Sequence, residues 1–376
     1  MASITKRGKT WQYTVSRYTE GKYDPVLKSG FKTKKEAQLA ALDVEMRLQK
    51  GANVITRDRS FADYFDYWIE KYKKENHQNT YRRYQDSLRR VQESFKDKPI
   101  QKISSDEYQT FLNKYAASRS KESVRKLNTH IRACVRDAID EGYLAIDFTR
   151  KSQLGGSVPS KKESEKYINY EDSKMLYEYL IAHAICTSDY LILLGVVSGL
   201  RFGELVGLTE TACDFEKSSV YIHQAWDYRN GSGFTSLKNT SSERTIPIDP
   251  VVMDKLKRFI IINKEENKDG FSKNAEDGLI FKSVGKLKVV SNNAANKQLH
   301  RILKHLGIKE VGCHGLRHTH ASVLLHEGFN IQYVSERLGH ESIQTTLNVY
   351  SHVLRELRAR EDENILHLYK QRDDDV

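Results

Sequence analysis

Gly339-His340-Glu341-Ser342-Ile343-Gln344-Thr345-Thr346-Leu347-Asn348-Val349-Tyr350-Ser351-His352 sets a tyrosine ten residues after a histidine, in a run that reads as helix or turn. A tyrosine hydroxyl is a poor nucleophile at neutral pH, because its unperturbed pKa is near 10. For Tyr350 to do chemistry, other parts of the chain must bring cations and a proton donor to it.

Two stretches upstream offer such groups. Gly199-Leu200-Arg201-Phe202-Gly203-Glu204-Leu205 puts an arginine at a helix start, after a serine-glycine turn. Cys313-His314-Gly315-Leu316-Arg317-His318-Thr319-His320-Ala321-Ser322 sets His314 and Arg317 three apart, on one face of a helix. His314 and His318, four apart, have the spacing of half a zinc site. With no glutamate between them and no obvious third ligand, no metal is expected.

Around these stretches, helices are expected at 170–183, 188–198, 250–263, 292–306, 314–326, 330–338, 342–349 and 354–366. Val220-Tyr221-Ile222-His223 and Arg244-Thr245-Ile246-Pro247-Ile248 read as strands flanking a Gly-Ser-Gly hairpin, with Lys238 on its return arm or loop. Gln153 to Lys162 gathers Gly, Ser, Pro and Lys and reads as a linker. The division expected is 1–56, 57–152, a linker at 153–165, a large unit at 166–368 and a tail at 369–376. The fold class expected is mostly α with small β elements.

Ahead of the linker the chain is basic. Residues 1–56 carry 11 Lys/Arg against 5 Asp/Glu and residues 57–160 carry 21 against 15, whereas the remainder carries 29 against 30. Such a footprint fits a polyanion partner, nucleic acid before anionic membrane. Trp11 to Tyr18 alternates like a half-exposed strand, Val26 to Lys32 returns as another, and Thr33-Lys34-Lys35-Glu36 is a capping box before a helix. A basic, aromatic sheet of this size suits a DNA major groove, which admits a β-ribbon. Lys6, Arg7, Trp11, Tyr13, Arg17 and Lys32 are its candidate contacts. Residues 57–150 read as all helical. Phe61, Tyr64, Phe65, Trp68 and Tyr72 form one core stripe, and Arg82, Arg83, Arg89, Arg90, Lys121, Arg125 and Lys126 can meet phosphates from outward faces.

No apolar run reaches the ~18 residues that span a bilayer, and Met1 to Arg7 lacks the apolar core of a signal peptide. Four scattered cysteines without a C-x-x-C pair give neither a disulfide framework nor a cysteine zinc site. A cytoplasmic location and no membrane contact are expected.

Together and in this order, the Gly-Leu-Arg-x-Gly-Glu-Leu box, the His-x-Leu-Arg-His-Thr box and Leu-Gly-His followed ten residues later by Tyr350 resemble the tyrosine recombinase (phage integrase) family. The resemblance covers roughly 170–366. More loosely, residues 1–56 resemble an arm-type DNA-binding domain and the next hundred a core-binding domain, as in integrases of prophages and conjugative transposons. It implies a metal-independent, cofactor-free DNA recombinase that forms a 3′-phosphotyrosine. Tyr350 is then the nucleophile, Arg201 and Arg317 the phosphate clamps, Lys238 the general acid, His314 a proton-transfer partner and His340 a donor to the phosphate. Glu204 is expected to orient Arg201 or cap its helix. Arg244 competes with Lys238 for the role of hairpin cation. The implied partners are double-stranded DNA at core and arm sites, three further copies of the chain, and an accessory excisionase and DNA-bending host protein. The alternatives are type IB topoisomerase-like cleavage and resealing, or a non-catalytic DNA-binding protein.

Overall fold

The structure, a computed structural model, describes residues 2–19, 22–49, 59–76, 78–159, 165–237, 240–266, 278–283, 288–348 and 350. The chain forms two compact units, Met1–Ser160 and Lys161–Val376.

The first unit begins with β1 (Ser3–Arg7), β2 (Thr10–Val15) and β5 (Val26–Phe31), an antiparallel sheet in the order β1-β2-β5. A small hairpin, β3 (Tyr18–Thr19) with β4 (Lys22–Tyr23), lies between them in sequence. α1 (Lys34–Gln49) starts at the expected box: Glu36 N–H donates to Thr33 Oγ1, and the Glu36 carboxylate accepts from the Thr33 and Lys32 amides. Tyr13, Val15 and Val26 on the sheet pack with Ala41 and Val44 of α1.

Four longer helices follow: α2 (Phe61–Tyr72), α3 (Gln78–Phe95), α4 (Ser105–Ala116) and α5 (Lys121–Asp140). Ser60, Ser104 and Ser120 cap α2, α4 and α5, each taking up an orphan amide. Phe61, Tyr64, Phe65 and Trp68 of the aromatic stripe are buried in the core, whereas Tyr72 at the end of α2 is exposed. Part of the expected linker belongs to this bundle. Ser157 N–H donates to Ala116 O at 3.0 Å, Val158 N–H to Arg119 O at 3.2 Å, and Leu154 packs on the core. The Gly and Ser content that reads as flexible serves a close approach here, since a Cβ on Gly156 would lie 2.2 Å from the Lys121 nitrogen.

The second unit is built around α7 (Thr187–Ser198), with Leu191 to Leu194 all buried, as a helix apolar on every side requires. α6 (Tyr170–His183), α8 (Phe202–Val206), α9 (Pro250–Glu266), α10 (Asn292–His305) and α11 (Cys313–His326) pack against it. α12 (Ile331–Leu338) packs on α11, and residues 343–348 are again helical. Strands β6 (Cys213–Asp214), β7 (Ser219–Ile222) and β10 (Arg244–Pro247) form a sheet in the order β10-β7-β6. The Gly-Ser-Gly turn belongs to a separate hairpin, β8 (Ala225–Trp226) with β9 (Phe234–Thr235), inserted between β7 and β10. The Asp227 carboxylate holds that turn by accepting from Asn230 Nδ2 and Ser232 Oγ. Lys238, the expected helix at 354–366 and the tail at 369–376 lie outside the described residues.

Candidate active site

The C-terminus of α12 organises the cluster. A helix leaves its last carbonyls without intrahelical partners and carries partial negative charge there. Gly339, in the left-handed conformation at φ 66°, ends α12 and sends the chain back. The Gly339 amide bonds to Glu336 O, and the His340 amide to Ser335 O. The next three carbonyls each receive a different arginine. Arg244 Nε donates to Arg337 O at 2.7 Å, Arg317 Nη2 to Leu338 O at 2.6 Å and Arg201 Nη2 to Gly339 O at 2.8 Å.

Local sequence brings these arginines there. α7 ends at Gly199, also left-handed at φ 64°, so that Arg201 becomes the N-cap of α8. Gly199 O accepts from Arg317 Nη1 at 2.9 Å. Arg317 lies on α11, is 3% exposed and has its pKa pushed down to about 9, by burial first and then by the Arg201 charge. It remains a cation at neutral pH. Glu204 joins the other two arginines. One oxygen accepts from Arg201 Nη1 at 2.8 Å, the other from Arg244 Nη2 at 3.0 Å, and the same carboxylate takes the Arg201 amide. Burial opposes the Glu204 charge, but Arg244 and Arg201 outweigh it and lower the pKa. Glu204 thus bonds both the side chain and the backbone amide of Arg201, the residue at the N-cap of α8. Each nitrogen of the Arg244 fork is engaged: Nε donates to Arg337 O, Nη1 to Ser242 O and Nη2 to Glu204.

His314 and His318 stack edge to face, 4.9 Å between ring centroids, one turn apart on α11. His314 stays open to solvent on part of its ring; loss of water around the rest, then Arg317 and Arg201, lower its pKa. His318 Nδ1 is 3.0 Å from the Tyr350 hydroxyl. Tyr350 itself is 1% exposed, packed with Ala321, Leu325, Val334 and Leu338. His340 Nδ1 shares a 2.8 Å hydrogen bond with buried Thr346 Oγ1. Burial, then Arg317 and Arg201, push its pKa down to about 3, so it is neutral. Thus Arg201, Arg317, His314, His340 and Tyr350, which the sequence disperses over 150 positions, share one neighbourhood with Arg244, His318 and Thr346. Arg244 was read from the sequence only as a competitor of Lys238, and the contacts of His318 and Thr346 were not read from it. A glycine C-cap in Arg-Leu-Gly-His was the available signal, because it announces carbonyls in need of donors.

Among the described residues, no group of three or more His, Cys, Asp or Glu side chains could hold a metal ion, and no helix is long and apolar enough to cross a membrane. Of the basic and aromatic candidates in the first unit, Lys6, Arg7, Lys32, Arg82, Arg83 and Lys121 are exposed. Arg17 pairs with Asp24, Arg89 with Asp86, Arg90 with Glu93, and Arg125 and Lys126 with Glu122. Trp11 is half-buried between Lys6 and Lys34. Tyr13 corrects the reading of the sheet. At 3% exposure it belongs to the face buried under α1, because an alternating strand turns its apolar side to the core.

Residues 166–356 match the phage integrase family, 60–116 its N-terminal SAM-like domain and 2–48 an arm DNA-binding domain. A tyrosine recombinase XerC-like protein of Caldanaerobacter subterraneus subsp. tengcongensis is 28% identical, over 98% of both chains. A prophage ps2 probable integrase of Lactococcus lactis is 25% identical, over 87% of this chain and 88% of its own. The solved Tn1549 transposon integrase, in complex with a circular intermediate DNA, shares the fold with a TM-score of 0.65 at 18% identity, over 80% of this chain and 99% of that one. The first of the family matches spans half of the sequence and includes Arg201, His314, Arg317, His340 and Tyr350: the chain belongs to the phage integrase family, the tyrosine recombinases.

Proposed function

We propose that this tyrosine recombinase integrates and excises a mobile element, with Tyr350 as the nucleophile. Tyr350 Oη attacks the scissile phosphorus, the bond to the 5′-oxygen breaks, and a 3′-phosphotyrosine forms while the 5′-oxygen takes a proton. Attack by the 5′-hydroxyl of a partner strand reverses the step, so the energy of the broken bond is kept in the covalent link. Arg201 and Arg317 bind the non-bridging oxygens, where guanidinium forks match phosphate geometry and stabilise the charge of the transition state. His314 relays protons, neutral His340 hydrogen-bonds the phosphate, and Lys238 is the acid for the leaving oxygen. The engagement of the Arg244 fork supports Lys238 over Arg244 in that last role. The Tyr350 phenol is 1% exposed and hydrogen-bonded to His318, so cleavage requires its hydroxyl to become accessible to the scissile phosphate.

The observation that carries the reading is the gathering of Arg201 and Arg317 on adjacent carbonyls beside His340 and Tyr350. Residues 1–56 bind arm sites and the helices of 57–152 bind core sites. The working form is a homotetramer on two duplexes in the cytoplasm, aided by an excisionase and a DNA-bending protein. The test is incubation with nicked suicide DNA in EDTA, followed by a denaturing gel. A covalent adduct that persists in EDTA and is lost in Tyr350→Phe is expected. An adduct dependent on a divalent metal, or one retained by Tyr350→Phe, would overturn the proposal. Exchange between two marked plasmids separates recombination from relaxation of one duplex.

A further inference from the structure

Arg337 sits in the middle of the site by sequence, yet its side chain takes no part in the cation cluster. Its Nε donates to His320 Nε2 at 3.0 Å, and its Nη2 donates to Val197 O at 3.1 Å and Pro247 O at 3.0 Å. His320 Nδ1 donates in turn to Val196 O at 3.0 Å. Because one ring nitrogen of His320 donates to a carbonyl and the other accepts from a guanidinium, only the neutral Nδ1–H tautomer fits. The clasp therefore ties α12 to the end of α7, to the end of β10 and to the middle of α11 through one planar fork. Arg337 and His320 are buried, Val197 is half-buried and Pro247 is exposed. Those are the elements that deliver the site: α7 leads into Arg201, β10 opens with Arg244, and α11 carries Arg317. The carbonyl of Arg337 itself is the first of the three that receive arginines.

We propose that Arg337, held by His320, is a positioning residue for phosphoryl transfer: it fixes the last turn of α12 so that Leu338 O and Gly339 O aim Arg317 and Arg201 at the scissile phosphate. The inference rests on the recombinase reading above. A lysine in its place keeps the charge but presents a point donor in place of a fork, so it cannot reach two carbonyls and an imidazole at once.

The test compares full-length wild type and Arg337→Gln on suicide DNA carrying either the ordinary scissile phosphodiester or a methylphosphonate there. The methylphosphonate lacks the charge on one non-bridging oxygen and needs less cationic support. Gel-shift affinity for the same DNA is measured alongside. Misaimed clamps slow adduct formation on phosphodiester about a hundredfold, but on methylphosphonate by no more than about tenfold, since less charge develops there for them to stabilise. Affinity stays within about threefold, because most binding energy comes from other phosphate contacts. Equal losses on both substrates, or no loss on phosphodiester, would overturn the inference. Should Arg337→Gln fail to fold, His320 carries the same question. His320→Gln, which can still accept from Arg337 and donate to Val196 O, is expected to keep the wild-type substrate ratio. His320→Leu, which can do neither, is expected to shift it as above; identical ratios in the two would overturn the inference. Absence of any wild-type adduct would refute the recombinase reading and this inference with it, whereas a wild-type adduct with unshifted ratios refutes the inference alone.

Discussion

The Tyr350 hydroxyl and His318 Nδ1 are 3.0 Å apart, and the phenol they hold is almost fully buried. The same side chain is thus a core residue and the proposed nucleophile. Tyr350→Phe keeps the ring and loses the hydrogen bond to His318, a loss expected to cost ~1 kcal/mol. A drop of about 2–4 °C in the thermal midpoint of the second unit corresponds to that, together with complete loss of the covalent adduct. A collapse of the melt would mean that the hydroxyl is chiefly structural.

Gly339→Ala tests the cap of α12. The residue is left-handed, and a Cβ there would lie 2.7 Å from Arg244 Nη1 and 3.1 Å from Ser242 Cα. Left-handed backbone strain alone costs ~1–2 kcal/mol for a residue with a side chain. The expected result is a destabilised second unit and at least about tenfold slower adduct formation, because the displaced carbonyls are those that hold the arginines. Unchanged rates would separate the cap from the chemistry.

Glu204→Gln removes the one carboxylate that Arg201 and Arg244 share. Leaving buried charge without its partner costs ~3–5 kcal/mol, and the expectation is the lower half of that range because Arg201 is partly solvated. Urea melts of wild type and variant give the difference. A change below about 1 kcal/mol would make the pair no more valuable than a surface bridge.

Acid should weaken both units. Burial pushes His320 and His340 down to about 3, and His130, beside Tyr84 and Ser87, down to about 4. Each folded pKa lies below the unfolded value near 6.5, so the unfolded chain binds more protons below that pH. Stability is then complete above about 6.5 and falls as the pH drops toward 4, by up to ~1.4 kcal/mol per pH unit for each histidine. Thermal midpoints at pH 7, 6 and 5 measure it, and His320→Gln should flatten the slope for the second unit. A slope left unchanged by that variant would mean that His320 does not report on folding.

Exposed and ion-paired basic residues of the first unit should differ in DNA binding. Arg82→Ala and Lys121→Ala are expected to weaken affinity uniformly and to reduce the salt slope by about 1 each. Arg125→Ala should do less, because Glu122 already holds its guanidinium with two hydrogen bonds. Equal effects in salt titrations would show that DNA displaces Glu122.

The start of α1 was legible because the Thr33 box is a short-range device whose partner lies three residues away. The cluster was legible as residue types: Arg201, His314, Arg317, His340 and Tyr350 stand where the family pattern puts them. What holds them was not. Backbone carbonyls at 337, 338 and 339 carry no residue signature, and the clasp of Arg337 on His320 joins groups that look unremarkable in their own segments. Two-residue strands such as β8 and β9 are too short for any periodicity, so the Gly-Ser-Gly hairpin was read without strands of its own. Tyr13 misled for a different reason: alternation identifies an apolar face but not what lies on it, and here that is α1.

Three guanidiniums on consecutive carbonyls have a consequence for the energetics of recombination. Like charges this close repel, and an enzyme that assembled them only when DNA arrived would spend part of its binding energy on the gathering. Here the backbone of a folded helix end does it, with Glu204 between two of the three. The electrostatic work is done once, when the chain folds, and each incoming phosphate meets a field already in place.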